Sequence, residues 1–194
     1  EANRFLGKEF KGWTFAIAED VKIQIEFNPN QVKAYRLIGY ENRKLRPEDF
    51  KNDAIDAGEL GSNHSVTALY EIIPAGSKSK FYTEADELKY TTITPTENKY
   101  TNELATIKFR YKKPDGDQSI EMVQTIENKS ILLQNASDDF KFSNAVAWFG
   151  LKLRDSKLIA NSSSKDIIAL AKQGLSNDSE GYKAEFIRLV EAAN

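Results

Sequence analysis

The chain has 194 residues, enough to bury a core as one domain or as two compact units, and its 40% hydrophobic and 11% aromatic content is that of an ordinary globular protein. With 27 basic against 29 acidic side chains the net charge is -2, so no overall positive field draws it onto nucleic acid or anionic lipid. Cysteine is absent, which excludes disulfides, thiolate nucleophiles and zinc-thiolate sites.

No apolar run approaches the roughly 18 residues that span a bilayer, and no charged-then-apolar leader is present. Because the chain starts at Glu1 without Met, it is read as a mature protein or an excised fragment.

In chain order, VKIQIEF (21 to 27) alternates, with Val21, Ile23, Ile25 and Phe27 on one face and Lys22, Gln24 and Glu26 on the other, which predicts a half-buried strand. Pro29 in NPN fixes its own φ and biases Asn28 away from helix, so the chain turns there. A second strand is predicted from Val32 to about Gly39. DAGELGSNH (56 to 64) reads as a glycine-shaped turn leading into a third strand, VTALYEII (66 to 73), ended by Pro74.

Residues 77 to 103 are polar and rich in Thr, Lys and Glu, and are either a peripheral hairpin around Leu88 to Ile93 or a surface loop. A hairpin follows. Ala105, Ile107, Phe109 and Tyr111 share a face, PDGD turns the chain, and Ile120 to Ile126 returns, so the sheet is expected to be largely antiparallel.

Beyond Leu133 the period becomes helical. Phe142, Val146, Phe149 and Leu153 predict a helix with Ser137 as cap and Asp138 and Asp139 at its positive end. A second helix, Ser164 to Gln173, has Ser164 as candidate cap and stops at Gly174. A third, near Asp178 to Ala193, aligns Tyr182, Phe186, Leu189 and Val190. Strands first and helices last predict an α+β fold: an antiparallel, β-sandwich-like body over 19 to 135, then a three-helix portion over 136 to 194 packed on it.

The chemistry is sparse. No phosphate-loop, dinucleotide, nucleophile-elbow or HExxH pattern occurs, and a serine triad would have to use His64, the one histidine in the sequence. Asp56, Glu59 and His64 are the alternative for a metal site, serving a metal-assisted hydrolase, but their spacing matches no specific ligand pattern. In AYRLIGYENRKL (34 to 45), Tyr35, Arg36, Tyr40, Glu41 and Arg43 surround Leu37 and Ile38. They are read as a strand end held by ion pairs, or as a docking surface for a neighbouring domain, another protein or a ligand.

The long block from Ile17 to Ile72, then FRYKKPDGD, DDFKFSNAVAWFGLKLRDS and DSEGYKAEFIRLV, resembles the C-terminal region of bacterial YfbK-like proteins. Such proteins carry a von Willebrand factor type A (VWA) domain just upstream, are typically exported, many as lipoproteins, and are uncharacterised in function. The resemblance implies an extracytoplasmic, non-catalytic binding or scaffolding module with no cofactor, no nucleic-acid partner and no membrane insertion of its own. The DxSxS metal motif of the VWA domain does not occur in this sequence, and no catalytic residue is carried over. Residues 1 to 18 then correspond to the VWA tail and junction, so Phe5, Phe10 and Trp13 join Tyr35, Arg36, Tyr40, Glu41 and Arg43 as the candidate interface.

Overall fold

The computed structural model describes residues 16 to 62, 64 to 82, 100 to 159 and 163 to 193. Phe5, Phe10 and Trp13, and the alternative hairpin at 88 to 93, lie outside them. The described strands are β1 (Ala16–Phe27), β2 (Val32–Ile38), β3 (Gly58–Gly61), β4 (Leu69–Pro74), β5 (Glu103–Lys112) and β6 (Ser119–Glu127). The described α-helices are α1 (Asp138–Leu153), α2 (Ser164–Gln173) and α3 (Tyr182–Ala192). The class is α+β, as the order of periods predicts.

Every strand pairing is antiparallel, in a four-stranded sheet of order β3-β1-β5-β6 and a separate β2-β4 pair. Asn28 directs the change of sheet. Its side-chain amide donates to the carbonyls of Tyr100 and Glu103, both at 2.8 Å, while its own carbonyl accepts from Val32 at 2.9 Å. The Gln31 amide donates to the Thr101 carbonyl at 2.9 Å, so the turn is tied to the start of β5.

Two expectations are corrected here. Residues 58 to 61 form a strand on β1 rather than a turn, with Val21 opposite Gly58 and Ala16 opposite Gly61. Four residues are too few to show a period. Their pairing also depends on an irregularity in β1 at Asp20, whose backbone is left-handed at φ 52° and whose carboxylate accepts from the Ala57 amide at 3.2 Å. The third strand starts later than its apolar run, at Leu69, leaving Val66 exposed.

In the helices, Ser137 caps α1 by accepting from the Phe140 amide. For α2 the cap is Ser163, one residue earlier than predicted, in a reciprocal box with Asp166. Ser164 is buried and accepts instead from the Lys152 ammonium at 2.5 Å, linking α2 to the last turn of α1. In α3 the Asp178 carboxylate accepts from the amides of Lys183 at 3.0 Å and Ala184 at 2.8 Å, supplying the cap that Gly181 lacks.

Ala145, Phe149, Ile167, Leu170, Ala171, Ile187 and Val190 make one buried cluster among the three helices, with Phe142, Trp148 and Phe186 packed against it. Phe186 meets Phe142 and Phe149 edge-on at centroid distances of 5.3 and 5.7 Å. The predicted stripes were too wide: Val146, Leu153, Tyr182 and Leu189 are exposed, and small Ala145 takes the contact position because the helices approach closely.

Candidate functional site

The apolar face of the four-stranded sheet, residues from both faces of the β2-β4 pair and one side of α1 line an open cleft of about 680 Å³. Strand alternation places Ile25, Phe27, Ile107 and Ile126 on its floor, because these residues share one face of β1, β5 and β6. Ile38, Tyr70 and Ile72 of the β2-β4 pair form one wall. Phe140, Trp148 and Leu151 form the other. Their spacing along α1 adds a second apolar stripe beside the Phe142, Ala145 and Phe149 face that enters the helical core, and Trp148 borders both. A helix apolar on two faces lies between two layers.

Aromatic stacking shapes the floor, with the Phe27 ring 4.4 Å from Tyr35 and 5.6 Å from Tyr70. Burial holds the Tyr70 hydroxyl above its usual pKa, and the neighbouring Tyr35 adds to the shift. At the edge of the cleft Arg36 pairs with Glu71 at 2.5 Å and donates to the Leu158 carbonyl at 3.1 Å, tying β2 to the loop after α1. Ile126, Leu133 and Phe140 line the cleft yet remain substantially exposed, and Ile131 and Leu132 continue the apolar surface outward at 71% and 66% exposure.

The opposite face of the four-stranded sheet is charged and carries the loop before β3. Lys22 stands opposite Arg110 in the β1-β5 register, a like-charge pairing that is unfavourable without a counter-ion. The loop supplies the acceptors. Buried Lys22 donates to the Asn52 carbonyl at 2.5 Å. The Asp53 carboxylate accepts from Ser119 at 2.6 Å and from Arg110 at 3.0 Å. Lys112 meets Asp20 at 2.7 Å. Hydrogen bonding to Lys112 holds the Asp20 carboxyl below its ordinary pKa, Ser119 and then Arg110 do the same for Asp53, and Asp20 pushes Lys112 upward. Buried Phe50 fixes the same loop from its apolar side. These charges satisfy one another, which gives the cluster the character of a clamp.

Asp56, Glu59 and His64 are exposed, and among the described residues no group of three His, Asp or Glu side chains stands together to hold a metal ion. β3 holds Glu59 in extended backbone between Asp56 and His64. Tyr35 and Tyr40 are exposed, Tyr40 at a left-handed φ of 57°, and Arg43 ends the short 3-10 turn Glu41–Arg43. Of the sequence candidates that are described, Arg36 lines the cleft. The remaining walls are not legible in the sequence because their residues come from seven elements, β1, β2, β4, β5, β6, α1 and α2. The one local signal was the Phe140, Trp148, Leu151 spacing.

Among the described residues no helix is long and apolar enough to cross a membrane. No solved structure matches the chain. The "Uncharacterized protein YfbK" of Escherichia coli (strain K12) is 41% identical over 196 residues, an alignment covering 100% of this chain and 33% of that protein. The chain therefore spans about a third of the length of this curated relative. The family model for the C-terminal region of the uncharacterized protein YfbK matches residues 12 to 194, nearly the whole sequence, and the chain belongs to that family.

Proposed function

We propose that this domain is a non-catalytic docking module of an exported protein, and that its cleft receives an apolar surface of the upstream part of the same polypeptide, the VWA domain that the resemblance implies. The observation that carries this reading is the cleft itself. Its lining includes exposed Leu133 and Phe140, and exposed Ile131 and Leu132 precede Leu133 in the chain. An uncovered apolar surface of this kind marks an interaction site. The choice of occupant is supported by the relative's length, two thirds of which lies outside the aligned region.

Phe5, Phe10 and Trp13 are proposed to join Tyr35, Arg36, Tyr40, Glu41 and Arg43 at that contact, since interface cores favour aromatics and Arg. The extracytoplasmic location rests on the family resemblance alone.

The test is hydrogen exchange on the longer protein against the 194-residue chain. Docking is expected to protect amides around 35 to 43 and 131 to 140, and Leu133→Lys at the exposed rim is expected to remove that protection without changing the melting temperature. Equal exchange in both proteins would leave the two parts merely tethered and end the docking reading.

A further inference from the structure

A second surface lies on the outer edge of the sheet and shares Ile126 with the cleft floor. We propose that β6 pairs with β6 of a second copy of this chain, antiparallel and centred on Val123, to make one continuous eight-stranded sheet.

β6 is last in the order β3-β1-β5-β6 and bonds only to β5 among the described strands. Its nine residues, SIEMVQTIE, contain no Pro, Gly or Lys. Its register with β5 is regular from Ala105 opposite Ile126 to Lys112 opposite Ser119. Exposed sheet edges are normally guarded by brevity, Lys, Pro or a bulge, because unpaired N–H and C=O groups recruit another strand. The other edge, β3, is guarded by being four residues long. β6 has none of these guards, its residues from Glu121 to Glu127 are all exposed, and Met122 and Val123 are each 58% exposed.

The chemistry of the edge selects its occupant. Antiparallel pairing about Val123 sets Ile120 opposite Ile126, Met122 opposite Gln124, Glu121 opposite Thr125 and Ser119 opposite Glu127, so no like charges meet. Just past the strand, Lys129 falls opposite Asp117 of the second copy. Moving the centre to Gln124 would place Glu121 opposite Glu127, and moving it to Met122 would place Asp117 opposite Glu127. Of these three registers, which keep most of β6 paired, the one centred on Val123 pairs the whole strand without a like-charge contact, and it is self-complementary, as a two-fold interface requires. In that register the rows containing Ile120, Met122 and Ile126 of both copies lie on the same side of the joined sheet.

The test uses the 194-residue chain, which has no cysteine of its own. Sedimentation is expected to show a species of twice the 21.9 kDa chain mass as concentration rises, and Val123→Lys, which sets two ammonium groups opposite each other, is expected to return it to monomer with its circular dichroism melt unchanged. Oxidised Val123→Cys is expected to form an intermolecular disulfide, since directly paired Cα atoms stand about 4.5 to 5.5 Å apart. Thr125→Cys is expected not to, because its two copies lie ~13 Å apart along the strands. A monomer at every concentration up to about 1 mM, equal cross-linking at both positions, or a dimer that survives Val123→Lys would each overturn the proposal. β6 amides protected only in the longer protein, with this chain monomeric, would give the edge to an intramolecular strand and overturn it equally.

Discussion

At Gly174 the end of α2 meets the first turns of α1 so closely that a Cβ would stand 2.4 Å from the Asp138 carbonyl oxygen and 2.7 Å from the Phe142 nitrogen. Both neighbours are backbone, so the clash has no flexible side chain to absorb it. Gly174→Ala is expected to destabilise the chain by about 1 to 3 kcal/mol, the usual cost of overpacking. Gly150, inside α1, has nothing within 4 Å of its Cβ position, and Gly150→Ala is expected to stabilise by up to ~1 kcal/mol through helix propensity. Urea denaturation of the pair separates sterics from propensity: equal effects would show that the helix crossing relaxes freely. Lys183 secures the same crossing. Its ammonium donates to Asp139 at 2.8 Å, to the Ser176 carbonyl at 2.9 Å and to the Gly174 carbonyl at 3.0 Å, using all three of its protons.

At the scale of elements, what starts a helix here is a side chain on a preceding loop. The Ser163 hydroxyl accepts from the Asp166 amide at 3.3 Å, and the Asp166 carboxylate accepts from the Ser163 amide at 3.3 Å. Ser163→Ala is expected to cost ~1 kcal/mol, measured by thermal or urea unfolding. Ser163→Thr is expected to retain most of the stability, because its hydroxyl still caps and still donates to the Asp166 carboxylate, as the Ser163 hydroxyl does at 2.8 Å. Both variants falling equally would mean that the hydroxyl acts otherwise than as a cap. The sheet shows a related division of labour. Its apolar face makes the cleft, and its charged face is closed by a loop whose Asn52 carbonyl accepts from Lys22 and whose Asp53 carboxylate pairs with Arg110.

At the scale of the whole molecule, three carboxyls among the described residues, Asp20, Asp53 and Asp178, are held below the ordinary value of 3.8, by Lys112, by Ser119 with Arg110, and by the first-turn amides of α3. Folding therefore gains from their ionised forms above that value and loses the gain as pH falls below it. The melting temperature is expected to be nearly flat from about pH 7 to pH 5 and to fall in stronger acid. Asp53→Asn is expected to make that fall shallower, since one linked proton is removed. An acid limb unchanged in the mutant would place the linkage on other groups. Lys112 works in the opposite sense: its raised pKa contributes stability below 10.5 that is lost as pH climbs through that region.

The sequence by itself determined what depends on neighbours a few residues apart. The period of two in VKIQIEF and in Ala105 to Tyr111, the PDGD turn, the Ser137 cap and the helical spacing of Phe186 and Val190 are local signals, and each element formed near its predicted place. Even the two faces of β1 were legible. Which face is buried at each point was not: Lys22 is covered and Ile23 is 52% exposed, because the loop holding Phe50 and Asn52 closes over the charged side while the apolar side is open near Ile23. The strand at Gly58–Gly61 needed the irregularity at Asp20 to pair, and the cleft needed seven elements to meet. Burial, pairing of short strands and the shape of a cleft are set by contacts between residues tens of positions apart, and a periodicity read along one chain carries no term for them.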